Sequence, residues 1–244
     1  MAGLGRKVFT AGDVLTASDM QSYVMDQTVM NFAGTAARSS AIATPTTGMT
    51  TYIGTTGTAT IPQIETYTGS AWQTPYGMTL LNASTFTTAS SISVNNVFTT
   101  TYDNYIITVT GTSSADLDVA FRFRASGTDV TSASYQTVAQ RLYANGSTPT
   151  ASNASATNAT SITTTFGLGN ARPSAATINV FRPFTSDTWK PITATNAFNH
   201  SGVNVLTASM AGTINSSTLF DGFTLLVTSG SITGILKVYG LRNA

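Results

Sequence analysis

From about residue 78 onward, apolar and polar side chains alternate with a period of two in run after run. In "LDVAFRFRASG", Leu117, Val119, Phe121 and Phe123 share one face, while Asp118, Ala120, Arg122 and Arg124 share the other. "YDNYIITVTGT", "ATINVFRPF", "FDGFTLLVTSG" and "ITGILKVYGL" are also of strand length, and in the third of these Phe223, Leu225 and Val227 point the same way. Dense turn signals separate the runs and no long helical pattern intervenes. That predicts antiparallel pairing into a β-sandwich of jelly-roll-like type. One stretch breaks the pattern: "NGSTPTASNASATNATS", residues 145–161, carries only small side chains and one proline. It reads as a long exposed loop or a flat strand without a core face.

The start of the chain has a different period. In "LTASDMQSYVMDQTVMNF", Met20, Tyr23, Val24, Gln27 and Met30 fall at spacings of three and four, which predicts a helix with a methionine-rich stripe. Thr16 or Ser18 is its expected N-cap, with Asp19 or Gln21 as capping-box partner. From Gly48 the period shortens again: Met49, Tyr52 and Ile53, then Ile61, Ile64, Tyr67 and Trp72, broken by Gly54, Gly57 and Gly69, predict a hairpin or small meander. A ribbon this small is marginal alone. Trp72 can bury a large area just past the Gly69–Ser70 turn and steady it, and Pro75 then ends the pairing. The expected division is a helix-plus-hairpin module over 1–76 and a sandwich over 77–244.

Composition sharpens the fold class and narrows the chemistry. Charged residues are 9% of the 244, hydrophobic residues 41%, and threonine is roughly one residue in five. β-branched threonine suits a half-buried pleated surface, so the expected protein is mainly β with a neutral polar exterior. A net charge of +1 gives no electrostatic footprint for nucleic acid or anionic lipid. A surface so weakly charged resists association poorly, which favours life in an assembly. Zero cysteines exclude disulfides and thiolate metal sites. The first residues, "MAGLGRKVFTAGD", contain no apolar signal core, and no apolar run reaches membrane-spanning length. Folding in a cytoplasm is the expectation.

Few residues can do chemistry. His200 is the single histidine, so a histidine metal pair is excluded within one chain unless symmetry brings copies together; beside Gly202 it reads as a turn residue. Asp116 and Asp118, with Asp129 near, could serve a glycosidase or a calcium ion. A solvated strand end with Arg122 and Arg124 as ion-pair partners is the better reading. "GLGNARPSAA", 167–176, lacks the order of a phosphate-binding loop. Tyr135, Tyr143, Phe166, Phe184 and Trp189 fall in or beside expected loops, where aromatic faces with Asn, Thr and Ser neighbours suit neutral glycans. Taken singly, each is better explained by core or interface packing. No catalytic residue, cofactor or metal ligand is assigned.

The block "VFTAGDVLTASDMQSYVMDQTVMNFAGTAARSSAIATPTTGMTTYIGTTGTATIPQIETYTGSAWQ" resembles a module common at the start of minor tail and fibre proteins of tailed bacteriophages. There a "F-x-AGDVLTA-x-D-x-N-x-Y-x-MDQ-x-VM" helix precedes "AAR-x-x-AI-x-x-P-x-x-GM" and a hairpin ending in "Y-x-GSAW". The likeness covers roughly the first 73 residues; the hairpin centre "TTGTATIPQIE" departs from the charged turn usual in such proteins. "GILKVYGLRN" is similar to the closing strand of their distal sandwich domains. The resemblance implies a virion protein assembled in a bacterial cytoplasm. It would be a homotrimer, anchored to other virion proteins through Met20, Val24, Met30 and Trp72. Its distal sandwich would project toward a host-surface glycan, with Tyr135, Tyr143, Phe166 and Trp189 as the candidate contacts. The alternatives are a head fibre, decoration or baseplate protein without a receptor role and, further off, a capsule or lipopolysaccharide depolymerase using Asp116, Asp118 or Asp221.

Overall fold

The computed structural model describes residues 10–23, 29–54, 63–74, 77–145, 148–198, 205–227 and 229–242. The chain divides into two compact units between Gly77 and Met78. Among the described residues it is mainly β, with two short helices.

In the N-terminal unit, α1 (Ala17–Tyr23) begins where the sequence places a cap. The Asp19 N–H donates to Thr16 Oγ1 at 3.1 Å, and the Thr16 N–H and hydroxyl both donate to Asp19 Oδ2. This reciprocal arrangement satisfies donors that the first helical turn leaves open. Val24 and Gln27 lie outside the described residues. The expected methionine stripe does not extend through Met30: that residue opens β1 (Met30–Phe32), a strand rather than a further helical turn. Met20, the stripe's other methionine, is 39% exposed. A second helix, α2 (Thr35–Ala41), follows, outside the expected elements. The expected meander is present as β2 (Thr50–Ile53), β3 (Gln63–Tyr67) and β4 (Trp72–Gln73). The strands form one sheet in the order β1-β2-β3-β4, parallel at the first pair and antiparallel at the others. Ile61, Pro62 and Pro75 lie outside the described residues.

This small sheet is centred on a buried ion pair. Arg38 from α2 meets Glu65, the chain's one glutamate, with both side chains 8% exposed. Gln63 Nε2 donates to the second carboxylate oxygen at 2.7 Å. The guanidinium lies 4.7 Å from the centre of the Trp72 ring, which in turn packs on Tyr67 at 5.4 Å. The Gly69 turn, at φ +99°, brings Trp72 back over the sheet. Trp72 thus packs against the ribbon, where it covers a charge.

The second unit is a two-sheet sandwich. Its strands are β5 (Met78–Ala89), β6 (Ser91–Val94), β7 (Tyr102–Ser113), β8 (Leu117–Ala125), β9 (Thr128–Asp129) and β10 (Tyr135–Asn145). They continue with β11 (Thr148–Ala159), β12 (Ile162–Leu168), β13 (Ser174–Phe181), β14 (Trp189–Phe198), β15 (Val205–Asn215), β16 (Gly222–Val227) and β17 (Ile232–Arg242). Eight form one sheet in the order β11-β10-β15-β14-β13-β7-β17-β5; the smaller sheet runs β12-β8-β16-β6, with β9 paired to β8. Every strand pairing in this unit is antiparallel.

The core lies between the sheets. Val119, Phe121 and Phe123 on β8 and Phe223 and Leu225 on β16 are completely buried, as their alternation predicts. Phe121 stacks on Phe223 at 5.3 Å, and Phe123 on Phe220 at 4.5 Å. Phe98 reaches across to Tyr105 of the large sheet at 4.6 Å. Buried polar groups join the layers as well. Asn196 Nδ2 donates to the Gly167 carbonyl at 3.1 Å, and its Oδ1 accepts from the Ala208 N–H at 3.1 Å. Gly167 must lack a side chain, because a Cβ there would stand 2.3 Å from the Phe198 ring.

Two of the aromatics proposed as glycan contacts belong to this core. Tyr135 and Phe166 sit on strands β10 and β12, not in loops, and both are fully buried. Their neighbours are Thr, Gln, Ser and Gly, which read as loop but also fill the outward positions of a strand. The Tyr135 hydroxyl donates to the Val130 carbonyl at 2.9 Å and accepts from the Phe123 N–H at 3.0 Å, tying β8 to the approach to β10.

Two predictions follow from these buried polar groups. Glu65→Ala leaves the Arg38 charge uncompensated and is expected to cost the N-terminal unit about 3 kcal/mol; Trp72 fluorescence in a Trp189→Phe background, followed through urea unfolding, reads it. Tyr135→Phe strands a buried amide and carbonyl and is expected to cost roughly 1–3 kcal/mol at pH 7. Burial pushes the Tyr135 phenol well above its ordinary range, against the opposing pull of the Phe123 N–H. The neutral phenol's contribution is therefore complete below about pH 10 and is lost as pH rises through the folded-state value. Denaturation at pH 7 and pH 11 should accordingly show the gap between wild type and Tyr135→Phe narrowing at the higher pH.

Candidate binding face

Five strands cannot cover eight, and one face of the large sheet turns away from the core altogether. Its outward residues follow from register. Asn153 stands opposite Gln140, Gln140 opposite Ser209, Ser209 opposite Thr195, Thr195 opposite Thr177, Thr177 opposite Thr108, and Thr108 opposite Lys237. Six uncharged hydrogen-bonding side chains thus cross six adjacent strands, one about every 4.8 Å. The neighbouring rows are more apolar. One runs through Val138, Ala211, Thr193, Asn179, Ile106 and Tyr239; the other runs through Leu142, Thr207, Ala197, Ala175, Thr110 and Ile235. Over β11, β10, β15 and β14 the face is hollowed into an open trough of about 760 Å³ bordered by Val138, Gln140, Asn153, Thr195 and Ser209.

Two properties set this face apart. Among the described strand positions Lys237 is its one charged residue. Among the described residues of the second unit, the exposed large hydrophobics are Met78, Val138, Leu142, Trp189, Leu219 and Ile235. All but Leu219 stand on this face: Met78 opposite Leu241 on β17, Trp189 at the head of β14, the others in the two apolar rows.

The remaining aromatic candidates do not converge. Trp189 is 49% exposed and opposite Asn215, whereas Tyr143 is opposite Leu206, nine positions along the same strand and hence roughly 30 Å away. Tyr143 also packs against the cluster of Phe198, Leu206 and Ala208. Phe184 packs partly buried against the main core.

The acidic candidates separate as well. Asp118 pairs with Arg141 at 2.6 Å, and Asp116 accepts the Asn170 N–H at 2.9 Å. Asp221 lies at the other end of β8, where its N–H donates to the Arg124 carbonyl and its carboxylate accepts the Ser126 N–H at 2.9 Å. Six residues of strand, roughly 20 Å, therefore separate Asp118 from Asp221. Arg122 and Arg124 pair with Asp129, not with Asp116 or Asp118. They lie on the outer surface of the small sheet, where Arg124 also donates to Asn95 Oδ1 at 2.7 Å and Ser93 Oγ at 3.1 Å. Among the described residues no three His, Cys, Asp or Glu side chains gather as a metal site would require. His200 lies outside the described residues.

Sequence reasoning missed the face itself, although its signal was present. In "VLTASMAGTIN", Leu206, Ala208, Met210 and Ile214 are buried while Thr207, Ser209 and Ala211 are exposed. Alternation of small residues with smaller ones carries little contrast, so it reads as turn-rich sequence. No protein-family model matches the chain, and no curated protein or solved structure matches it either.

Proposed function

We propose that this chain is a structural protein of a tailed-phage virion. It is a tail-fibre or receptor-binding subunit that works as a homotrimer and holds the particle to host-surface glycans. The phage assignment rests on the N-terminal residue pattern, from "VFTAGDVLTASDM" to "YTGSAW". The observation that carries the non-enzymatic reading is the open face of the eight-stranded sheet. It is broad and almost uncharged: its described strand positions hold hydroxyls, amides and apolar groups, with Lys237 as the one charged residue and no carboxylate. Such a surface suits holding a partner better than acid–base chemistry upon one. The N-terminal unit, compact and separate in the chain, supplies the attachment to the particle. Repetition of weak sites over three subunits and several fibres then provides avidity.

A second reading keeps the virion and drops the receptor: a head fibre, decoration protein or baseplate part. The burial of Tyr135 and Phe166, and the distance between Tyr143 and Trp189, favour it, since no shared aromatic platform for a sugar remains among those four.

Light scattering of the purified chain should give the mass of three copies, and micromolar protein should bind host envelopes. Failure to bind would leave the second reading standing; a monomer would remove the trimer from both. Incubation with host polysaccharide should release no oligosaccharide, and Asp118→Asn should leave binding unchanged. Release abolished by that substitution would establish a depolymerase instead.

A further inference from the structure

We infer that the open face of the eight-stranded sheet is a subunit interface, and that what covers it is a second copy of this chain. The inference rests on the self-assembling half of the function proposed above and assigns it to a surface that neither the sequence nor the N-terminal resemblance indicates.

Size comes first. Eight strands about 4.8 Å apart, each overlapping its neighbours for some eight residues at about 3.3 Å, present roughly 900 Å² per copy, against about 800 Å² per partner in a standard stable interface. Chemistry comes second. Met78, Val138, Leu142, Trp189 and Ile235 are each 43% exposed or more, and they spread from β5 at one edge to β10 near the other. Apolar side chains distributed across a whole face, instead of gathered in one pocket, call for a broad dry cover. A glycan strand lying in the trough would cover Val138 and leave Met78 and Ile235, on β5 and β17, in water.

Charge comes third. Burying a face against another copy strips water from its charges, and among the described strand positions that cost is confined to Lys237. Finally, most of the outward side chains between the apolar ones are Ala, Ser and Thr, which let two sheets approach closely. The outer surface of the small sheet differs in charge, since Arg122, Arg124 and Asp129 are paired upon it.

The absence of cysteine makes the test clean. Ser209→Cys places one thiol in the centre of the face, and Ser91→Cys places one on an exposed position of the small sheet. Both are surface positions, so circular dichroism should confirm an unchanged fold. Each full-length variant is labelled with a thiol reagent at high and low protein concentration, and light scattering records its mass. The expected result is labelling of Ser209→Cys slowed at least ten-fold at high concentration and relieved on dilution, with Ser91→Cys fast throughout. Equal labelling at both positions overturns the inference; if the mass is still that of three chains, assembly through the N-terminal unit survives. Protection of Ser209→Cys with a mass other than three chains keeps this interface and removes the trimer. Protection that arises only on adding dextran or mannan, with the mass unchanged, gives the face to a glycan and likewise overturns the inference.

Discussion

The second unit depends on one packing constraint: the phenylalanine rings of the small sheet must be covered by one side of the large one. Phe121 stacks on Phe223 and meets Phe123 edge-on, Phe123 stacks on Phe220, and all four belong to one buried cluster with the inward positions of β7, β13 and β17. Because strand side chains alternate, choosing the inward set fixes the outward set at every position on every strand. The open face is thus the necessary reverse of the core, and its row-by-row order is inherited from the register that the core imposes. Asn196 and Gly167 refine the fit, one by joining three strands through hydrogen bonds and the other by letting β12 lie flush on Phe198.

The N-terminal unit is built on different terms. Few of its described apolar side chains are buried, Val14, Leu15, Val29 and Ile64 among them being exposed, and its centre is an ion pair roofed by an indole. Among its described residues Ile53 is the one fully buried hydrophobic side chain, beside Arg38, Glu65 and Thr51. A buried pair contributes little net stability but penalises any arrangement that separates its members. Its value here is directional: Arg38 on α2 and Glu65 on β3 can meet in few ways, and Trp72 covers them only once the Gly69 turn has formed.

What could be read from the sequence followed side-chain contrast. β7, β8, β16 and β17 alternate large apolar residues with polar ones, and each stands where the pattern placed it. The Thr16–Asp19 cap was legible because capping chemistry is local. β10, β14 and β15 were not, since Ala, Ser and Thr occupy both their inward and outward positions. Tyr135 and Phe166 were misplaced for that reason. Met30 was misplaced because one methionine fits a helical spacing and a strand start equally well, and only the pairing with Thr51 on β2 decides between them.

β11 carries the same low contrast to its limit. Residues 150–155 are exposed whether they point up or down, and among the described strands β10 alone lies beside them in the sheet. Among its described side chains, Ala159 at its far end is the one that packs on the core. Elsewhere along it, sliding by two positions would exchange one small side chain for another and disturb no buried contact. The edge of the large sheet is therefore a hem stitched at one end, whose alignment is kept by backbone pairing and a single alanine, with no help from the shape of its own side chains.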